Sequence, residues 1–142
     1  MFLTANERFE CLDSLFGSFA RGDYNKFLAG CTDDLVLNVR GSAKQATMVP
    51  ALQVPQWHRS TGQLTGGSFH TSVCFVLVTD HACIVVLTHL VDRDCVSFRY
   101  ETVNHCTLRD DLLASWFSYP MDAADYAEAW DLPRTADPQF AS

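Results

Sequence analysis

The chain has 142 residues, of which 48% are hydrophobic and 19% charged, and its formal net charge at pH 7 is -7. This composition is too apolar for a disordered chain, and an acidic chain with only ten Lys and Arg argues against a nucleic-acid partner. No apolar run approaches the roughly 18 residues of a membrane-spanning helix, so we expect no membrane association.

Two further features of the composition bear on the compartment of the protein. Residues 1–8 lack the basic region and apolar stretch of a secretory signal, and we therefore expect a cytoplasmic protein. The six cysteines show neither C-x-x-C pairing nor histidines at zinc-finger spacing. We expect them to be free thiols that serve as small hydrophobic side chains, and we predict no metal.

Two helices are predicted at the start of the chain. In the first, from about Thr4 to Ala20, apolar residues recur at steps of three and four, as in an amphipathic helix. Thr4 and Glu7 form a capping-box pattern at its start, and Gly22 supplies the left-handed residue at its end. A short helix with Asp23 as its N-cap follows, and the two are expected to pack as a hairpin.

The next segment combines a strand with a less regular stretch. Residues 35–40 alternate as a strand that Gly41 closes. Between residues 42 and 67 the pattern is weaker, and both Pro50 and Pro55 disfavour a continuous helix. We predict one or two short helices there that cover Val49, Leu52 and Trp57.

From residue 68 onward the chain becomes rich in β-forming residues. Four runs, 69–79, 83–91, 96–108 and 112–119, are separated by short Asp-rich turns, which predict antiparallel neighbours. Several runs are apolar on both faces, so helices are expected to cover one side of the sheet and a second subunit the other. This pattern predicts a homodimer formed through the sheet face.

A last helix begins at Asp122, which has N-cap chemistry and a second acid three positions later. We predict one domain over residues 1–132 and a loose C-terminal tail over 133–142. The fold class is α+β, with helices packed on a curved, mainly antiparallel sheet around an apolar small-molecule pocket.

Three segments carry a resemblance to a known family. They are ARGD at 20–23 with DDLVLNVRG at 33–41, GGSF at 66–69, and RDDLLASWFSYPMD at 109–122 with Trp130 beyond. In this order they resemble the SnoaL-like polyketide cyclase branch of the nuclear transport factor 2-like superfamily, which also contains ketosteroid isomerases. The resemblance implies a cone-shaped, cystatin-like α+β barrel.

The sequence departs from that family at three positions. Asn38 stands where many relatives have His, Arg40 where they have Pro, and Asp111 where they have Gly. A general base at position 38 is therefore excluded. Residues 42–65 do not align with the family pattern and leave the lid of the pocket unassigned.

Three residues are the predicted catalytic set. Asp122 matches a family Asp that acts as a general base in some cyclases, and burial in an apolar pocket would raise its pKa toward a useful range. Its alternative role is simply to cap the following helix. His105 is a candidate proton shuttle, or else faces a dimer partner, and Asn38 is a candidate hydrogen-bond donor to a substrate oxygen or else makes a local turn contact.

The remaining candidates would bind substrate. Strand alternation places His105 and Asn104 on opposite faces, so only one of them can enter the pocket. Tyrosine side chains can donate a hydrogen bond to an oxyanion, and tryptophans can form the cavity wall. The predicted substrate-binding residues are Trp57, Trp116, Asn104, Arg99, Tyr100 and Tyr119.

These assignments imply a cofactor-independent cyclase or isomerase that acts by proton transfer on an apolar molecule, in secondary-metabolite biosynthesis. Epoxide opening is one alternative, and it requires Arg99 to point into the pocket. The other alternative is a non-catalytic module that binds a small ligand or dimerises.

Overall fold

The computed structural model describes residues 3–40, 46–63, 69–93 and 95–130. The predicted tail over 133–142 and the GGS portion of the 66–69 segment lie outside these ranges. Within them, all six cysteines are free; Cys31, Cys83 and Cys106 are buried, whereas the other three are exposed. No helix of the described ranges is long and apolar enough to cross a bilayer.

The N-terminal helices form as the sequence predicts. Helix α1 spans Ala5–Arg21, with both hydrogen bonds of the Thr4–Glu7 capping box, and it ends at Gly22 in the left-handed conformation (φ 82°). Helix α2 spans Tyr24–Ala29. Asp23 precedes it, but its side chain makes no capping hydrogen bond.

The middle of the chain differs from the prediction. A strand, β1, spans Val36–Arg40, and a second strand that was not predicted, β2, spans Ala46–Pro50 and pairs antiparallel with it. A short 3-10 turn at Ala51–Gln53 then leads into helix α3 at Val54–Gln63. Pro50 is tolerated as the last residue of β2 because this strand lies at the sheet edge.

The second half supplies the four predicted strands and the last helix. The strands are β3 (Phe69–Val78), β4 (Ala82–Arg93), β5 (Val96–Arg109) and β6 (Leu112–Pro120), and helix α4 spans Ala123–Ala129. They form one mixed sheet in the order β2-β1-β6-β5-β4-β3, in which only the β1–β6 pair is parallel. This is the predicted α+β architecture.

One face of the sheet holds the core. Along β4, Val85, Leu87 and His89 are buried, and helices α1, α3 and α4 lie over this inner face. The central contact is aromatic: the rings of Phe16 and Phe19 meet Trp116 edge-on, with centroids 5.2 and 5.0 Å away.

The opposite face is apolar and exposed. Cross-strand pairing brings outward-facing hydrophobic side chains of β3, β4, β5 and β6 next to one another. They form what we call the outer patch, which consists of the exposed Phe75, Leu77, Ile84, Leu90 and Tyr119 and the half-buried Val86, Val103 and Phe117.

The turn between β5 and β6 explains why Asp occupies position 111. Asp110 and Asp111 both have positive φ (53° and 61°), as a two-residue hairpin turn of this kind requires. Asp111 nevertheless has a function that Gly cannot supply, since its carboxylate accepts hydrogen bonds from Arg8 Nε (3.0 Å) and Leu3 N (3.2 Å). The Arg8 side chain is buried, so this carboxylate neutralises a buried cation.

We therefore expect opposite effects from two neighbouring substitutions. Asp111→Gly should lower the urea midpoint of unfolding. The stabilisation lost when Arg8 has no Asp111 carboxylate partner exceeds the stabilisation gained when glycine relieves the backbone strain at this positive φ. Asp110→Gly is the matched control, since it relieves the same strain without removing a partner of Arg8, and its midpoint should stay the same or rise. An Asp111→Gly variant as stable as Asp110→Gly would contradict this assignment.

Candidate functional site

A cavity of about 300 Å³ lies between the inner face of the sheet and the helices. Its wall is mostly aromatic and aliphatic, with a row of polar side chains from the central strands. A volume of this size suits a small molecule of two or three rings. The lining residues include Phe19, Trp57, His58, Phe69, His89, Tyr100, Thr102, Asn104, Trp116, Tyr126 and Trp130.

Asn104 anchors the polar side of the cavity. This side chain on β5 is fully buried, and both of its ends are hydrogen-bonded. Trp116 Nε1 donates to Asn104 Oδ1 (2.7 Å), and Asn104 Nδ2 donates to Val85 O (3.1 Å) and Thr102 Oγ1 (3.0 Å). Because an indole nitrogen can only donate, the orientation of the amide is determined.

A continuous chain of hydrogen bonds extends from Thr102 to the opposite side of the cavity. Thr102 Oγ1 lies 2.9 Å from His89 Nε2, and His89 Nδ1 lies 3.1 Å from Thr71 Oγ1. Thr71 Oγ1 lies 3.4 Å from His58 Nε2, and His58 Nδ1 lies 2.6 Å from the hydroxyl of Tyr24. Both nitrogens of both imidazoles therefore have partners.

Aromatic rings hold the two imidazoles in place. His89 lies between Phe69 and Tyr100, with ring centroids 5.6 and 4.7 Å away and both rings nearly parallel to the imidazole. His58 stacks on Phe19 at 4.2 Å. These contacts fix the ring planes and exclude water from the imidazole faces.

Both histidines are uncharged at neutral pH. Burial lowers the pKa of His58 to about 4 and the pKa of His89 to about 3, since a cationic imidazole is poorly solvated there, and the nearby His58 adds to the effect on His89. A neutral imidazole carries one N–H donor and one acceptor nitrogen.

Two tyrosines complete the site beside helix α4. Tyr100 Oη accepts a hydrogen bond from Trp130 Nε1 (3.1 Å), and its own proton has no acceptor among the described residues. Tyr126 meets Tyr100 edge-on at 5.2 Å. Burial raises the pKa of both hydroxyls, so each remains a protonated donor.

Four of the predicted substrate-binding residues line the cavity: Trp57, Trp116, Asn104 and Tyr100. The alternation of β5 places Asn104 inward and His105 on the exposed outer face. Arg99 and Tyr119 also lie outside. The Arg99 side chain is 65% exposed and pairs with Glu101 (2.9 Å), and Tyr119 belongs to the outer patch.

None of the three predicted catalytic residues lines the cavity. Asp122 is exposed, and its carboxylate caps α4 by accepting hydrogen bonds from Ala124 N (2.8 Å) and Asp125 N (3.0 Å). The carboxylate therefore lies in solvent, and the structure corrects the expected placement in an apolar pocket. His105 is exposed, and Asn38 turns away from the cavity that its neighbour Val39 lines.

His58, His89 and Thr102 belong to the site but are not among the residues predicted from the sequence. In the sequence, His89 is one of several polar residues on a long hairpin, and His58 lies in the 42–65 stretch that does not align with the family pattern. A period-two pattern in β4 did contain a signal, because His89 lies on the same strand face as the buried Val85, Leu87 and Val91.

Within the described ranges, no three His, Cys, Asp or Glu side chains come together as a metal site. Among the residues that the structure describes, no carboxylate lines the cavity either. The chemistry available to the described wall is that of neutral hydrogen-bond donors and acceptors and of imidazole proton transfer.

No protein-family model matches this sequence, and no curated protein matches it. Several solved structures, in contrast, are similar to it. The structure of Bal32a from a soil-derived mobile gene cassette is 16% identical, with a TM-score of 0.74 over 89% of this chain and 98% of that one. An NTF2-like protein from Burkholderia xenovorans is 17% identical, with a TM-score of 0.68 over 89% and 97%.

A third similar structure is an LEH-like epoxide hydrolase from M. tuberculosis, which is 14% identical, with a TM-score of 0.65 over 88% of this chain and 90% of that one. At these identities the likeness establishes the fold, which is the nuclear transport factor 2-like, or cystatin-like, α+β fold. The fold is one that includes enzymes.

The lowered histidine pKa values make stability depend on pH. Between the folded pKa values and the ordinary value of 6.5, only the unfolded chain binds the two protons, so the free energy of unfolding falls as the pH falls below about 6.5. From pH 7.5 to pH 5 we expect a loss of about 2 kcal/mol for each histidine. His89→Gln should remove about half of the total loss, as measured by urea unfolding at the two pH values. An equal loss in the variant would contradict a neutral, buried His89.

Proposed function

We propose that the protein is a cofactor-independent enzyme that binds an uncharged, largely apolar carbonyl compound and isomerises or cyclises it by proton transfer. The observation that carries this proposal is the cavity wall: mostly aromatic and aliphatic, free of carboxylates among the described residues, yet lined by hydrogen-bonding groups that are all neutral. A charged ligand would lose its hydration there without gaining a counter-ion.

Tyr100 is the donor to the substrate oxygen in this proposal. Its hydroxyl remains protonated, it is held in place by Trp130, and its proton has no acceptor within the described part of the chain. A carbonyl oxygen would accept this hydrogen bond, which strengthens as the oxygen gains negative charge in an enol-like transition state.

Thr102 and His89 are the proton-transfer pair. Tyr100 and Thr102 lie on the inner face of β5 two positions apart, about 7 Å along the strand, so one bound ring system can reach both. The Thr102 hydroxyl takes a proton from the substrate as it passes its own to His89 Nε2 (2.9 Å), and His89 stays neutral because its Nδ1 releases a proton to Thr71 Oγ1 (3.1 Å).

Two alternatives have less support. Epoxide opening required Arg99 to point inward, whereas its guanidinium pairs with Glu101 outside the cavity. A passive binding module fits the capping role of Asp122, but a purely passive pocket does not account for the polar chain along its wall. Secondary-metabolite biosynthesis remains the setting that we propose for the reaction.

A bicyclic ketone, 2-tetralone, tests the proposal, because it is neutral, it fits the volume and its α-protons can exchange. We expect the protein to accelerate exchange of these protons in D₂O, measured by proton NMR, and Tyr100→Phe and His89→Gln to slow the exchange about 100-fold. Asp122→Asn is the control and should leave the rate unchanged, since its carboxylate lies outside the cavity.

Binding and exchange can be measured separately. The cavity tryptophans, Trp57, Trp116 and Trp130, should report binding by a change in their fluorescence. Binding of 2-tetralone without any acceleration of exchange would contradict catalysis and support the binding-module alternative.

We also propose that the protein is a homodimer formed through the outer patch. The exposed hydrophobic side chains of this surface are neighbours across four paired strands, so they form one continuous patch and are not scattered singly. The patch also carries Arg99 and Glu101 side by side. A two-fold interface brings the same surface of two copies together, so a surface with both charges can pair opposite charges across it.

Substitution in the outer patch tests the dimer. Phe75 is 51% exposed at the centre of β3, and Phe75→Glu should place a like charge on both sides of a two-fold contact and give a monomer in analytical ultracentrifugation. Leu52→Glu is the matched control, because Leu52 is 83% exposed but lies in the 3-10 turn away from the sheet. A wild-type protein that is monomeric at all concentrations would contradict the proposal.

A further inference from the structure

We propose that the side chains of Thr102, His89, Thr71, His58 and Tyr24 form a proton-conducting chain that connects the cavity to the protein surface. The inference extends the proposed function, on which it rests for the reaction that supplies or consumes the proton. The five residues, which we call the proton chain, come from β5, β4, β3, α3 and α2, so the fold brings together groups that are far apart in sequence.

The hydrogen-bond direction is fixed at the Thr102 end of the proton chain. Trp116 orients the amide of Asn104, and Asn104 donates to Thr102 Oγ1, which therefore has one proton and one acceptor position left. From there each remaining hydrogen bond can have either direction. A neutral imidazole that donates at one nitrogen accepts at the other, and Thr71 relays a proton only when it donates to one imidazole and accepts from the other. The arrangements that can relay a proton are therefore those in which all the hydrogen bonds have the same direction.

Two complete arrangements result. In the inward arrangement, Tyr24 donates to His58, His58 to Thr71, Thr71 to His89 and His89 to Thr102, and the Thr102 proton is free for the cavity. In the outward arrangement every bond is reversed, and the Tyr24 proton is free for solvent. In both arrangements His58 and His89 are the same tautomer, protonated at Nε2 in the first and at Nδ1 in the second.

Interconversion of the two arrangements transfers exactly one proton. When a substrate takes the Thr102 proton, Thr102 takes the proton of His89 Nε2, and His89 Nδ1 takes that of Thr71. Thr71 then takes the proton of His58 Nε2, His58 Nδ1 takes that of Tyr24, and the Tyr24 oxygen takes one from water. Each O–H or N–H bond that breaks is matched by one that forms, and no member keeps a charge.

The electrostatics of the site favour such a relay over a stored proton. Burial lowers the pKa of His58 and His89, so neither imidazole holds an extra proton at neutral pH. Each can nevertheless accept a proton at one ring nitrogen while it releases one from the other. The stacked rings of Phe19, Phe69 and Tyr100 keep water away from the imidazole faces, so the transfer follows the hydrogen-bonded edges.

The outer end lies where protons are available. Tyr24 is partly exposed, does not line the cavity, and has the guanidinium of Arg59 5.3 Å from its ring centroid. This cation stabilises negative charge that develops on the Tyr24 oxygen during transfer. Tyr24 therefore exchanges its proton with solvent, and the cavity need not open for the catalytic proton to enter or leave.

The first test needs no substrate. Protein labelled with ¹⁵N at its histidines reports by NMR which nitrogen of each imidazole is protonated. We expect His58 and His89 to have the same tautomer, or the same ratio of the two tautomers. Opposite tautomers, or a cationic imidazole at pH 7, would overturn the proton chain.

The second test uses the exchange of 2-tetralone in D₂O. Tyr24→Phe and Thr71→Val should each slow exchange about 10-fold or more without a change in KM, and Thr71→Ser, which restores the hydroxyl, should recover the rate. Tyr119→Phe is the matched control, because that tyrosine is 45% exposed on the outer patch, and its rate should equal that of the wild type.

The outcomes separate this inference from the proposed function. Absence of exchange in the wild type would contradict the proposed reaction, whereas the tautomer measurement would still test the chain. Exchange that depends on His89 but is unaffected by Tyr24→Phe and Thr71→Val would contradict the proton chain alone.

Discussion

The requirement that every buried polar group find a hydrogen-bond partner governs this cavity. Asn104 is wholly buried, and its amide is held by an indole that can only donate and by a carbonyl that can only accept. The remaining N–H of the amide is directed at Thr102, and the next polar groups follow in turn from Thr102 to Tyr24. An apolar cavity and an ordered polar wall are thus two consequences of the same constraint.

The helices give that wall its shape. Phe16 and Phe19 of α1 pack edge-on against Trp116, and this contact holds the indole in the position from which it orients Asn104. Helix α4 supplies Tyr126 and, at its end, Trp130, which positions the hydroxyl of Tyr100. The aromatic residues therefore do more than fill volume, because their N–H and O–H groups determine which way the polar groups of the cavity point.

The sequence predicts the elements well and the site poorly, for identifiable physical reasons. Capping chemistry at Thr4 and Gly22 and the Asp-rich turns are local signals, so the first helix and the four long strands lie where they are predicted. Strand β2 was missed because an edge strand with a terminal proline has a weak pattern of its own and forms by pairing with β1.

For the site, alternation shows which residues share a face but does not determine which face is buried. The sequence alone does not decide whether Asn104 or His105 points into the cavity, because that depends on which face of the sheet the helices cover. For Asp122, the resemblance to a family residue favoured a catalytic role, whereas its actual role is to cap helix α4. The link between His58 and His89 depends on a helix and a strand that meet only in the folded chain, so no spacing in the sequence could reveal it.

In the proposed function, neutral donors on this wall bind the oxygen of an apolar carbonyl compound. A crystal structure of the protein with 2-tetralone would show where that oxygen lies. We expect the ketone oxygen within hydrogen-bond distance of Tyr100 Oη, with the ring system against the cavity tryptophans and Thr102 beside an α-carbon. A ketone bound outside the cavity, or bound inside with its oxygen turned to the apolar wall and away from Tyr100, would rule out this role of the wall.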